Sequence, residues 1–522
     1  MKRIITFAAV FLSTQAHAQN LPPVTPKPAP LSNPLLPAPI QSGLALNITP
    51  DFSVPADSVG MTNPVARIEY VVADPSNPSR RFVNDTNGTL YSVTGSSTPT
   101  PYLNIAAQNV GFITNYAPAI TGFQGIAFDP NFDGDPTKPG YGKFYTTYSA
   151  ANEGTSTQAL YNGQPLTYLG NNPVDHVTVL REWTATDPTA ATFSGTSRVV
   201  MTIGAQDVGH NDGSIGFNPT AKPGNADYGL LYVGIGVSGF NDPLLNGGNL
   251  ANPAGKILRI NPLQGTSGQP YTVPASNPFV GVAGAVPEIW AYGLRYPQSF
   301  SWDSKTGTMY INDIGQTGPE EVNIGKAGAN YGWPYREGIF ATGYDYGVNN
   351  PSDQNVYPIP STDTGAGLTN PVAEYDHTSE YAIGSGFLYN GALMPQLDGM
   401  YILQDIVTGD LFYFDPTQAS ATQASATQQA PLHSLALDIN GQPANFVDLF
   451  GYNAPNALGP RVDARLSETA GGELEIALKA NGEVYSVTGA VSVAAVVPEP
   501  SSLVLLAGGV MGLGAVRRRR AG

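Results

Sequence analysis

A short pattern of glycine, any residue, an apolar residue and tyrosine recurs along this chain and limits what it can fold into. It appears as Gly88-Thr-Leu-Tyr91, Gly142-Lys-Phe-Tyr145, Gly229-Leu-Leu-Tyr232, Gly307-Thr-Met-Tyr310 and Gly482-Glu-Val-Tyr485, with a shorter form at Gly399-Met-Tyr401. A glycine turns a hairpin, and the apolar and aromatic residues after it suit a strand. The beats lie about 55 to 90 residues apart, which points to repeated sheet units with long loops between strands. Small antiparallel sheets repeated radially protect their edges by forming a propeller. The pattern therefore predicts an all-β, six-bladed β-propeller. Tyr91-Ser-Val-Thr-Gly95 and Tyr485-Ser-Val-Thr-Gly489 are identical, which suits a last repeat closing beside the first.

Composition agrees with this reading. The 522 residues include 59 Gly, 46 Pro, 27 Tyr and 20 Phe, and only 12% are charged. Turns are frequent, strands have large side chains to bury, and a long-helix or coiled-coil protein is disfavoured. The formal net charge of −16 repels phosphate backbones, so nucleic acid is not an expected partner. There is no cysteine, which excludes disulfides, zinc–thiolate sites and cysteine nucleophiles.

The ends carry addresses. Lys2 and Arg3 precede an apolar run, and Ala16-His17-Ala18 offers small residues for cleavage, so residues 1–18 are expected to be a signal peptide. Residues 19–60 are rich in proline and are expected to be an extended linker, with the propeller over residues 61–490. The polar repeat at residues 417–429 is expected to be a loop between strands. Residues 497–522 join Val497-Pro498-Glu499-Pro500, a short apolar segment and Arg517–Arg520. This layout resembles the PEP-CTERM sorting signal of Gram-negative bacteria. The resemblance implies export to the periplasm, outer surface or matrix, handling by a sorting machinery, transient inner-membrane contact and an association with exopolysaccharide.

Several segments go beyond pattern. Gly125-Ile-Ala-Phe-Asp-Pro-Asn-Phe132 precedes His210-Asn-Asp-Gly-Ser-Ile-Gly-Phe217 and Gly255-Lys-Ile-Leu-Arg-Ile260. Pro287-Glu-Ile-Trp-Ala-Tyr-Gly-Leu-Arg-Tyr-Pro-Gln298, Asp313-Ile-Gly-Gln316 and Asn330-Tyr-Gly-Trp-Pro334 follow. In this order the blocks resemble the glucose/sorbosone dehydrogenase family, soluble aldose dehydrogenases that use pyrroloquinoline quinone (PQQ). The resemblance implies a six-bladed propeller with PQQ and calcium at one end and a sugar substrate above them. It places His210 as the general base, Arg295 at the quinone oxygen, and the backbone carbonyls of Gly315 and Gln316 on calcium. An imidazole suits proton removal near neutral pH, a fixed cation suits charge arriving on a quinone, and carbonyls suit a hard cation.

The chain departs from the family at several points. Tyr296 follows Arg295 where the family usually has Asn. Residues 398–415 contain no Lys or Arg to clamp the PQQ carboxylates, which leaves Arg461 as the cation expected there. Glu320 and Glu321 read as a solvated acidic turn, as does Asp133-Gly-Asp135, while Tyr331 and Trp333 read as core. Two functions follow. One is an exported PQQ-dependent sugar dehydrogenase. The alternative is a non-catalytic propeller that binds extracellular polysaccharide or a protein partner.

Overall fold

The computed structural model describes residues 26–56, 66–75, 77–108, 110–114, 121–170, 173–419, 429–439, 442–450 and 461–493. The signal peptide, the sorting segment and most of the polar repeat lie outside the described residues.

The described chain is built from strands, with one five-residue α-helix at Phe446–Phe450 and a few short 3-10 turns. Four sheets have four strands each, and every one is antiparallel. The first runs Ile68–Ala73, Arg80–Asp85, Thr89–Thr94, Thr100–Asn104. The second joins Phe123–Phe128, Lys143–Ala151, His176–Ala185 and Gly195–Ala205. The third joins Asp212–Phe217, Leu231–Ile235, Lys256–Ile260 and Ile289–Tyr292, and the fourth Pro297–Trp302, Met309–Asp313, Pro319–Ile324 and Ala373–Asp376. A nine-stranded sheet takes most of the rest, and a three-stranded and a two-stranded sheet lie in the long loops. The path of the nine-stranded sheet begins at Ile383–Leu388 and ends at Ala464–Glu468.

The strand that opens each of these units packs on the next: Ile68–Ala73 on Phe123–Phe128, then Asp212–Phe217, Pro297–Trp302, Ile383–Leu388 and Ala464–Glu468. Ala464–Glu468 packs back on Ile68–Ala73, so the opening strands surround a common axis. Apolar side chains fill the wedges between neighbouring sheets. Phe82, Phe128, Phe144 and Trp183 join the first to the second, and Tyr145, Ile215 and Leu231 join the second to the third. Each such side chain contributes about 1.5–3 kcal/mol by leaving water. The architecture is a β-propeller.

The glycine beats open strands as expected. Gly88, Gly142, Gly229, Gly307, Gly399 and Gly482 all have φ between +73° and +112°. At Gly142 a Cβ would also lie 2.4 Å from the Ala185 carbonyl, so no other residue fits without a shift. All six beat tyrosines are buried, at most 5% exposed. The irregular spacing has a topological cause. Four beats precede the second strand of a unit, whereas Gly88 and Gly482 precede a third.

The linker expectation needs correction. Ile40–Ser53 is a 14-residue strand. It pairs antiparallel with Glu483–Ser492 and parallel with His433–Ile439, so Leu46 lies opposite both Ala490 and Leu437. The period-two series Leu44, Leu46, Ile48 packs into the core of the nine-stranded sheet. Pro50 is accommodated because the register shifts between Pro50 and Phe52.

Candidate active site

A cavity of about 210 Å³, open at its mouth, lies at one end of the common axis. Its lining follows from strand direction. Glu69, Gln124, Gln298 and Arg465 sit near the starts of opening strands, and His210 and Ala382 come just before two others. Phe240, Gly315 and Val407 come from loops that follow second strands, which return to the same end.

His210 is held in an unusual backbone conformation, with φ +52°. Its Nδ1 lies 3.1 Å from the Gly239 carbonyl. A carbonyl can only accept, so Nδ1 carries the hydrogen and Nε2 is left as an acceptor. The ring stacks on Tyr296 at 4.7 Å and meets the edge of Phe240 at 5.2 Å. Burial pushes the imidazole well below its ordinary pKa, and the Arg295 charge adds to this. His210 is thus a neutral base on the cavity wall. Tyr296 supplies the face that holds it.

Arg295 is buried and spread over backbone oxygens. Nη1 donates to the carbonyls of Ile314 (3.1 Å) and Gly315 (2.5 Å), and Nη2 donates to that of Phe240 (2.6 Å). Its guanidinium lies 5.7 Å from the Trp333 ring centre. Asp313 fixes the segment by accepting from the backbone N–H groups of Arg295 (2.9 Å) and Tyr296 (2.7 Å).

This arrangement sets the surroundings of Gly315 and Gln316, where calcium was expected. The Gly315 carbonyl already faces a guanidinium. The Gln316 N–H donates to Glu337 Oε1 at 2.5 Å, and its side chain donates to Asn241 Oδ1 at 2.7 Å. Among the described residues no three acidic or imidazole side chains gather as a metal site. As placed, these side chains add no ligand for a calcium ion beyond the two carbonyls.

The cavity wall fits an anion rich in oxygen. Arg461 lines the cavity as expected, with Nε 3.2 Å from Asp463 Oδ1. Arg465 was missed by sequence reasoning and lines it too. Arg465 Nε donates to Glu69 Oε1 at 2.8 Å, and Lys479 Nζ bonds the other Glu69 oxygen. The signal available was Arg461 and Arg465 four residues apart across the start of an opening strand. Two donors on this wall are buried without a hydrogen-bond acceptor, Arg295 Nε and Gln124 Nε2, while Arg461 Nε has only its ion pair with Asp463. Unspent buried donors call for an acceptor, and a tricarboxylate quinone such as PQQ supplies many.

Other expectations divide. Tyr331 and Trp333 are core, with Trp333 Nε1 donating to Asp242 Oδ2 at 3.1 Å. Asp135 is a turn residue that accepts from the Thr137 N–H and hydroxyl at 2.9 and 2.7 Å. Glu320 and Glu321 are not a solvated turn. Both are buried in the strand Pro319–Ile324. Glu320 pairs with His377 Nε2 at 2.7 Å, and Glu321 accepts the Gly338 N–H at 2.5 Å.

A β-propeller with a base and a donor-rich wall at one axial end is the class that fold and site define. The glucose/sorbosone dehydrogenase family matches residues 74–434, and the chain belongs to that family. A PEP-CTERM protein-sorting motif matches residues 496–520. The chain is similar to the HIPL2 protein of Arabidopsis thaliana, 28% identical over 382 residues, 64% of this chain and 50% of that protein. It is also similar to the aldose sugar dehydrogenase YliI of Escherichia coli (strain K12), 32% identical over 170 residues, 32% of this chain and 39% of that one. The chain thus spans half or less of the length of these relatives. Among solved structures, the PQQ-bound aldose sugar dehydrogenase of Streptomyces coelicolor superposes with a TM-score of 0.50 at 18% identity, covering 86% of this chain and 100% of that one.

Proposed function

We propose that this chain is an exported oxidoreductase that oxidises a hydroxyl of an aldose or oligosaccharide with PQQ as acceptor. The observation that carries the reading is His210 Nε2, a neutral acceptor on the wall of a cavity whose other polar groups are mostly donors. Arg461 and Arg465 would hold carboxylates of PQQ, and Arg295 would face its quinone edge. Bound PQQ would supply a two-electron acceptor. His210 Nε2 takes the proton of the substrate hydroxyl, and Tyr296 keeps the ring oriented through stacking. Burial keeps the imidazole neutral, so the base is ready at any pH near 7. The sorting motif supports export, and the ring of opening strands supports six blades, with the nine-stranded sheet counted as two that share the closing strand.

The test is PQQ binding to the full chain by absorbance and equilibrium dialysis, followed by dye-linked sugar oxidation. His210→Asn is the informative variant, because asparagine tolerates the positive φ. PQQ should stay bound while turnover falls by about 10²–10⁴-fold. Turnover equal to wild type would reject the assignment of His210.

A further inference from the structure

The described aromatic side chains are almost all buried or half-buried, which makes the exceptions informative. Only Phe240 and Tyr381 are exposed among them, at 39% and 54%. Both line the mouth of the same cavity. They come from different sheets and stand on either side of the fourth, which brings Arg295 and Gln298 to the cavity. Two water-facing rings at one mouth, in a fold that otherwise shields its rings, form a platform.

Hydrogen bonds fix the backbone of both segments. The Tyr381 N–H donates to Asp405 Oδ2 at 2.7 Å, as does the N–H of Ala382. The Phe240 carbonyl accepts from Arg295, and its ring leans on His210. Beside Phe240 the rim is made of neutral amides. Asn241 Oδ1 accepts from Gln316 Nε2 at 2.7 Å and from Gln354 Nε2 at 3.0 Å. An aromatic face next to neutral amides matches one ligand chemistry. The C–H face of a pyranose packs on the ring, and its hydroxyls exchange hydrogen bonds with the amides. A net charge of −16 works against acidic polymers.

We infer that Phe240 and Tyr381 form a second sugar subsite at the mouth, which selects neutral oligosaccharides over single sugars. The subsite deepens the reading of the cavity as a sugar site and rests on it. The reducing-end ring enters the cavity beside His210, and the next ring lies on Tyr381. Tyr381 is the specificity residue. Phe240 also supports His210, so its substitution would mix two effects.

The experiment is calorimetric binding of glucose, maltose and maltotetraose to the full chain and to Tyr381→Ala, with PQQ binding measured on the same samples. Wild type should bind maltotetraose more tightly than glucose. Tyr381→Ala should lose about three- to tenfold for the longer sugars and leave glucose unchanged. Tyr381→Trp should restore the length preference, which separates loss of a ring from damage to the fold. Equal length dependence in wild type and Tyr381→Ala, or no saccharide binding by wild type, overturns the inference. Failure of PQQ binding alongside length-dependent saccharide binding would sink the oxidoreductase reading and leave the subsite standing.

Discussion

Glu69→Gln should move stability and ligand affinity in opposite directions. Glu69 begins an opening strand and is 2% exposed. It accepts from Arg465 Nε at 2.8 Å and Gln298 Nε2 at 3.2 Å, and it pairs with Lys479. Burial pushes its carboxyl up, and the charges of Arg465 and Lys479 more than reverse this, so it is ionised. Glutamine keeps the shape and deletes the charge, which leaves two buried cations with Asp463 as their remaining nearby anion. Breaking a buried pair from one side costs about 3–5 kcal/mol. The cavity wall meanwhile gains one unit of positive charge. At about 8 Å and an effective dielectric near 20, that is worth roughly 2 kcal/mol for each ligand carboxylate. Urea unfolding at pH 7 reads the first effect, and PQQ dialysis reads the second. The variant should unfold at a lower urea concentration and bind PQQ about thirtyfold more tightly for one carboxylate at that distance. A loss below about 1 kcal/mol would show that Arg465 and Lys479 do not depend on Glu69. Weaker PQQ binding by a variant with an intact near-ultraviolet spectrum would refute the view that Glu69 opposes an anionic ligand.

Two further outcomes follow from burial and pairing. Burial pushes Glu374 up to about 8, so it keeps its proton in the fold at neutral pH. Its folded pKa lies above its unfolded one, so the stabilisation is complete below about 4.3 and is lost as pH rises through 8. The urea midpoint should therefore fall between pH 5 and pH 9, and Glu374→Gln should flatten that fall by an amount on the order of 3 kcal/mol. An unchanged slope in the variant would show that the carboxyl is ionised in the fold. Leu46→Pro should cost more than about 3 kcal/mol in the same assay, because Leu46 sits buried between two strands where proline cannot donate to the ladder. A near-neutral result would mean that the closing strand adds little.

How much could be read from the residues depended on how local each signal is. The beats were legible because a positive φ at Gly88 or Gly307 and the tyrosine three residues later belong to one turn and its strand. His210 and Arg295 were legible through ordered family motifs, and both reach the cavity. The strand Ile40–Ser53 was hidden because its partner Glu483–Ser492 lies at the far end of the chain, and the prolines around it argue for a linker. Arg465 was passed over because its value depends on Glu69, brought beside it only by ring closure. Glu320 and Glu321 look solvated in sequence, since nothing local announces that His377 and the Gly338 N–H will take them. The surroundings of the Gly315 carbonyl were illegible for a related reason. Backbone carbonyls carry no side-chain signature, and Arg295 reaches Gly315 through folding.

The closing strand also fixes the face at which its partner Glu483–Ser492 ends. The cavity lies at the start of Ala464–Glu468. Glu483–Ser492 lies two antiparallel steps further out, so it runs the same way and finishes at the opposite face. Ile40–Ser53 runs against it and starts at that face, with Leu44 beside Ser492. The strand Ile40–Ser53 therefore starts at the base and Glu483–Ser492 ends there, while the described residues before Ile40 lie along the side, where Lys27 meets Asp353 and Leu35 meets Asp376. The sorting motif at residues 496–520 begins within a few residues of that exit. Anything that grips the tail holds the molecule like a cup by its foot. Its rim, with Phe240 and Tyr381, then points away from the tail.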